Sequence, residues 1–317
     1  MKRLCLVMLL SVCYIADMSA ESFLVKTWNG FNRLLDYFDE SGYDSTYIEL
    51  PKYRWAPGTE LSSIFSSVSI HGDSTVRITE PAEFTWKLKH QYRYLGFSFP
   101  SISLKKTGRY YFDLGLTGRK WGFKTYIEQV PQARCSELGM TGDVTQTSFY
   151  ANVYYVFNNK RFVYSACEGR DIIQKKSAGS LIVGVTYYVR HIAILDTVFQ
   201  KVLNLKEVMI NNGGPSVGYG HNFVPRNHKN WVIHASITPT LTVFSRNSIK
   251  TADNQKENPS YSLLSVLTPM RLAATYSYKH NDFCLGLSYL MSTTGYKSSR
   301  SIEITEPQFS FLYRFRF

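Results

Sequence analysis

Side chains able to do chemistry are few in this chain, and they are scattered. Lys175 and Lys176 are adjacent amines at the end of a polar stretch, a pattern that attracts phosphate or sugar-acid groups such as those of a glycolipid. Ser177-Ala178-Gly179-Ser180 follows. A serine becomes a nucleophile only with a base in hydrogen-bond reach and a third group orienting that base. His191 and His234 stand on other segments, and no spacing pairs either with a serine. Small residues at a strand start also simply allow close packing. His221, His228 and His234 crowd into one hairpin, but no Cys or carboxylate completes a metal-ligand spacing. The expectation is a non-enzymatic protein without cofactor or metal. Beyond residue 20 the cysteines are Cys135, Cys167 and Cys284, too few for a disulfide scaffold.

The remaining charges acquire meaning from strand geometry. Successive side chains on a strand point to opposite faces. In the terminal run QFSFLYRFRF, Phe309, Phe311, Tyr313, Phe315 and Phe317 share one face. Gln308, Ser310, Leu312, Arg314 and Arg316 share the other. An aromatic face toward lipid and a polar face toward a lumen is the pattern of a transmembrane β-barrel, and Tyr313, Phe315 and Phe317 would be its C-terminal outer-membrane signal. The alternative is a strand closing a soluble β-sandwich. By the same alternation Lys87, Lys89, Arg271, Arg314 and Arg316 would face a lumen. If that lumen is open, rings of Lys and Arg imply a mild anion preference. If it is closed, these residues pair with carboxylates and fill it.

The elements that must position these residues read as follows. Lys2 and Arg3 precede an apolar run over residues 4–15, the form of a signal peptide ending near Ala20. Leu24, Trp28, Phe31, Leu35 and Phe38 recur at helical spacing. The expected organisation is a signal peptide over 1–20, a periplasmic N-terminal helix and connector over 21–64, and an outer-membrane barrel over 65–317. After the apolar leader there is no run of ~18 apolar residues that could span a bilayer as a helix. Mean hydropathy is −0.19, yet aromatic residues make up 15%, which suits a barrel wall with aromatic girdles. The net charge of +12 accompanies no nucleic-acid module, so the expected partners are outer-membrane lipid, lipopolysaccharide and the barrel assembly machinery. A transported solute stays unspecified.

Alternating segments cover 84–89, 110–117, 231–243 and 283–289. Short turns are expected near 91, 118–119, 158–160, 190–191, 225–229 and 279–282. Longer polar loops are expected over 100–108, 130–147, 168–178, 200–215, 246–260 and 292–307. Bacterial barrels alternate short periplasmic turns with longer extracellular loops in this way. The count is about 14 strands if Glu80-Pro81 is a tight turn and 12 otherwise, and 14 is preferred. This topology sets Lys175 and Lys176 at the outer rim and makes Cys135–Cys167 the only plausible bridge.

Several stretches have a more specific wording: 118–123 (GRKWGF), 152–158 (NVYYVFN), Phe162, Tyr164, 174–180 (QKKSAGS) and 218–222 (GYGHN). Together they resemble the exported family called domain of unknown function 4421, over roughly residues 47–317. The resemblance implies an outer-membrane barrel and carries no known activity. The leading expectation is an all-β, up-and-down transmembrane barrel giving passive passage or ligand uptake. A blocked-lumen barrel with a structural or surface-binding role comes second, and a membrane-embedded hydrolase third.

Overall fold

The structure is a computed structural model. It describes residues 20–39, 42–50, 55–71, 75–93, 95–99, 102–103, 108–137, 140–166, 172–258, 266–294 and 301–317. The expected signal peptide, apart from Ala20, lies outside the described residues. So do Cys167 and the side chain of Cys135, and with them the expected bridge.

Helix α1, Ala20–Asp39, belongs to a unit of its own. Trp28 and Phe31, neighbours on the helical stripe, pack with ring centroids 5.8 Å apart. No described helix is long and apolar enough to cross a membrane.

The second unit is a closed antiparallel barrel of 12 strands. They are β1 Gly58–His71, β2 Thr75–Tyr92, β3 Leu95–Ser98 with Ile102–Ser103, β4 Tyr110–Thr117, β5 Trp121–Glu137 and β6 Met140–Val156. Then come β7 Ala178–Ile194, β8 Glu207–Phe223, β9 Trp231–Ile237 with its continuations to Lys250, β10 Val266–Tyr278, β11 Asn281–Thr294 and β12 Ser301–Phe315. The circle closes where β12 meets β1, from Ser301 opposite His71 to Arg314 opposite Gly58. The first strand starts at Gly58, ahead of the expected boundary at 65.

The preferred count of 14 is corrected to 12, because Glu80-Pro81 is no turn. Both residues lie inside β2, where the register with β1 shifts between Ile64 and Ser66. Proline cannot donate to a ladder, and a bulge is where a strand tolerates it. The expected turn at 190–191 also dissolves into the interior of β7. The expected loop over 130–147 is mostly the β5–β6 hairpin.

The wall has two storeys. Strands β5 to β8 are 17 residues each, whereas about 9–11 residues cross a bilayer. In the storey that ends at the C-terminus, called here the carboxy end, large apolar side chains point outward. Val185, Leu285, Phe309, Leu272, Ile127 and Phe84 are all at least half exposed. In the far storey the alternation inverts. Ile70, Ile78, Ile192, Ile210, Ile302 and Ile304 point inward into one apolar core. Short helix α2, Thr197–Leu203, adds Phe199 and Leu203 to that core. It is capped by the Asp196 carboxylate, which accepts from Val198 N and Phe199 N. Gly142 leaves the space that the Phe199 ring fills, since a Cβ there would run into it. A polar interior throughout was expected; the far storey is instead packed like a water-surrounded barrel.

Strands β3 and β4 stop short of the far storey, and β2 pairs directly with β5 there, Thr79 opposite Ser136. Two strands thus drop out of the circle.

Candidate functional site

The carboxy end of the lumen is filled by the chain itself. Residues 157–166 and 172–177, between β6 and β7, fold inward and meet the connector over 43–50. Ile48 lies opposite Gln174 and Glu49 opposite Ile173 in a two-residue antiparallel ladder outside the barrel sheet. Asp44 N donates to Lys160 O at 2.9 Å and Lys175 N to Tyr47 O at 2.7 Å. Ile48, Val163, Ala166 and Ile172 are buried against the inner faces of β9 to β12, on Val232, Ala273, Cys284 and Leu312. Phe162 packs on the β6 and β7 side against Tyr154, Val156 and Ile182. These two segments form a plug.

Gln174 is the hub of the plug. It has no exposed surface. Its amide oxygen accepts from Val163 N at 3.1 Å and from Asn222 Nδ2 at 3.1 Å. Its amide nitrogen donates to Arg161 O at 2.6 Å and Lys176 O at 2.9 Å. Asn222, from β8, also donates to Val163 O at 2.7 Å, and its amide oxygen meets His234 Nδ1 at 2.7 Å. At the surface Arg161 Nε bonds the Asp44 carboxylate at 3.0 Å. The Thr46 hydroxyl and N–H hydrogen bonds, with Arg161 adding to them, hold the Asp44 carboxyl below its ordinary value.

Between the plug and the far core lies a chamber of about 330 Å³. Lys87, Lys89, Arg271 and Arg314 line it, as the alternation anticipates, but so do Glu60, Asp113, Glu128 and Glu306. Lys89 bonds Glu60 at 2.6 Å, and Lys87 lies 3.7 Å from the same carboxylate with its amine over the Tyr111 ring. Arg314 donates to Gln91 Oε1 at 2.5 Å. Arg316 sits at the carboxy rim, with Asp282 at 3.2 Å and Lys279 O at 2.8 Å. Tyr111, Tyr126 and Tyr150 stack in series on β4, β5 and β6.

Two buried arginines tie the interior together, and sequence reasoning missed both. Arg109 reaches Glu83 at 2.8 Å, Glu128 at 2.7 Å and also Glu80, joining β2 to β5 where β3 and β4 end. Arg190 reaches Gln146 at 2.6 Å on β6 and, across the lumen, Ser66 on β1 at 2.5 Å and Glu306 on β12. Arg109 was hidden at the edge of an expected loop, and Arg190 inside an expected turn. Glu80, Glu83 and Glu306 recurring in strands was the available signal.

The other candidates disperse. Lys175 and Lys176 lie at the carboxy end, which corrects their expected place at the outer rim. The connection containing them is on the same side as the short turns. Lys175 Nζ donates to Ser45 O at 3.0 Å and Lys176 lies over the Tyr47 ring. Ser177 Oγ accepts from Val224 N at 2.9 Å, and Ser180 Oγ accepts from Asn158 N at 2.8 Å while donating to Leu181 O at 2.7 Å. Both serines serve backbone groups. His234 is buried in the Asn222 network, while His228 is exposed in the β8–β9 turn. Among the described residues no cluster of His, Cys, Asp and Glu is placed to hold a metal ion. Phe315 and Phe317 point outward and are exposed, and Tyr313 packs on Phe283 at 5.3 Å.

Solved structures with a similar trace include the outer membrane protease OmpT from Escherichia coli, at 6% identity and TM-score 0.45, over 84% of this chain and 97% of that chain. The translocator domain of autotransporter NalP from Neisseria meningitidis is similar at 9% identity and TM-score 0.39, over 96% of this chain and 99% of that one. The Pseudomonas putida toluene transporter TodX is similar at 9% identity and TM-score 0.32, over 88% and 99%. No curated protein sequence matches the chain. A family model, Domain of unknown function (DUF4421), matches residues 42–317, the connector, plug and barrel together. This chain therefore belongs to the DUF4421 family.

Proposed function

We propose that this protein is an integral barrel of a bacterial outer membrane that is closed in the state described, and that holds a small solute in its chamber rather than conducting freely. One observation carries this reading: the carboxy end of the lumen is packed with the buried side chains of Ile48, Phe162, Val163, Ala166 and Ile172. Membrane placement is supported by the outward apolar belt of the carboxy storey, which would be costly in water. The far storey, polar outside and apolar inside, then stands beyond the membrane, and the carboxy end faces the periplasm. The reading favours a closed barrel over an open passive channel. It also removes the basis for an anion preference, because the lumen cations stand beside carboxylates. A non-enzymatic role is supported by the use of both Ser177 and Ser180 in backbone hydrogen bonds.

A second reading, solute uptake, is favoured by the chamber itself: it is lined by charged groups set among aromatic and aliphatic side chains, and it is large enough for a small ligand. Passage would then require the plug to move. Single-channel recording in a planar bilayer tests the proposal. The expected result is a folded, inserted and silent barrel, and conductance steps from a variant in which residues 158–176 are replaced by a short glycine-serine turn. Steady conductance from the unaltered protein would overturn it.

A further inference from the structure

The connections at the carboxy end share a charge that the plug and chamber do not explain. Arg93 lies in the β2–β3 turn, Lys120 in the β4–β5 turn, Lys160 in the β6–β7 connection, Arg226 and Lys229 in the β8–β9 turn, and Lys279 in the β10–β11 turn. Every connection at this end carries a base, so the cations run round the circumference instead of gathering on one side. Lys160, Arg226, Lys229 and Lys279 are exposed. The acids described at this end are Asp44, which already holds Arg161, Glu49 on the connector, and Asp282, which is buried beside Arg316.

Just inside this ring lies an aromatic girdle on the outer surface. Trp121 packs on Tyr155 at 4.8 Å, Trp231 on Tyr276 at 5.1 Å and Phe315 on Phe317 at 6.3 Å. Lys120 and Lys279 lie against girdle rings, 5.7 Å from the centre of Tyr155 and 5.4 Å from that of Tyr278. Aromatic girdles mark the headgroup level of a bilayer. Amines one step beyond it stand at the height of lipid phosphates, which attract clustered Lys and Arg. A docked protein would need a patch on one side or across the end. A ring that follows the girdle follows the lipid annulus.

From this geometry we infer that the carboxy rim binds the phosphate groups of anionic phospholipid in the leaflet it faces. The inference rests on the membrane reading above. Among the described residues of the far storey, Lys250 and Lys256 stand near Asp253 and Glu257.

The test is the exchange of spin-labelled lipid at the barrel surface, read by electron paramagnetic resonance. The barrel is reconstituted in phosphatidylcholine vesicles carrying labelled phosphatidylglycerol or labelled phosphatidylcholine. A lipid seated against one rim cation should be retained about fivefold over its zwitterionic counterpart at low salt. The preference should fall at high salt and in the variant Arg226→Gln/Lys229→Gln/Lys279→Gln. It should persist in Lys250→Gln/Lys256→Gln. Inorganic phosphate added alone should displace little of it, since a free ion lacks the acyl anchor. Equal retention of the two lipids by an inserted barrel, or an unchanged preference in the triple variant, overturns the inference. Failure to float with the vesicles would instead count against the membrane reading, and the resistance of the unheated barrel to detergent verifies folding of each variant.

Discussion

Replacing Gln174 by Ala should unseat the plug and leave the wall intact. The side chain is fully buried, and its amide serves Val163 N, the Asn222 amide, Arg161 O and Lys176 O. Water can reach the last two at the exposed rim, but Val163 N and the Asn222 amide stay buried. A buried polar group left without a partner costs about 1–3 kcal/mol. Val163 N is left without a partner, and the Asn222 amide, which keeps Val163 O and His234, loses one hydrogen bond. Together these destabilise the docked plug by about 3 kcal/mol, which is about a 100-fold rise in its undocked population at 1.4 kcal/mol per tenfold. The twelve-strand wall loses nothing, because Gln174 bonds none of its ladders. Hydrogen exchange read by mass spectrometry is the direct assay. Peptides covering 158–176 and 44–49 should exchange about 100-fold faster, while peptides from β10 to β12 keep their protection. Bilayer recordings of the same variant should show brief openings. Unchanged exchange in both plug segments would refute Gln174 as the hub, and loss of protection throughout would refute the plug as a separable body.

Three further outcomes are expected. Asp44 is lowered from the ordinary value of 3.8, so its hold on Thr46 and Arg161 is fully present above that pH and is lost as the pH falls through the lowered value; pepsin cleavage within 42–50 should rise steeply below pH 3.8, and Asp44→Asn should abolish the step. Arg109→Met leaves Glu80, Glu83 and Glu128 buried without their shared cation and should cost about 3–5 kcal/mol, seen as a lower temperature for loss of the compact band on detergent gels; an unchanged temperature would mean the cluster does not hold the β2–β5 joint. Leu285→Arg should destabilise the barrel in vesicles by about 2–4 kcal/mol, whereas Thr141→Arg, outward on the far storey, should be nearly neutral; equal effects would place both storeys in the same medium.

The terminal strand was the most legible part of the chain. A period of two assigns Phe309 and Phe311 outward and Leu312, Arg314 and Arg316 inward without ambiguity, and the barrel keeps that register. The far storey was illegible for a physical reason. Ile302 and Ile304 face inward while Glu303 and Thr305 face outward, the reverse of the lower half of the same strand. A change of phase within one strand reads as the end of a strand, so polar loops were expected there. Gly213-Gly214-Pro215 misled in the same way. Gly214 lies inside β8, where β9 passes so close that a Cβ would meet Leu241 O. The plug could not be read from periodicity at all, since its hub is one glutamine whose partners come from the connector, the β6–β7 connection and β8. Only the QKKSAGS wording that carried the family resemblance marked the place.

The joint between β12 and β1 also fixes an order of events. The wall joins its ends across more than two hundred residues, from His71 to Ser301. The connector lies upstream of β1 and the β6–β7 connection lies in mid-chain, yet both end up encircled. Once the joint has formed, neither segment has a side entrance. The stopper must therefore be seated in the open, curling sheet before the circle shuts, or be threaded later through the carboxy mouth. Assembly that starts from β12 and closes last on β1 would shut the ring around a chain already in place, and a barrel that closed earlier would have only the carboxy mouth through which to fill.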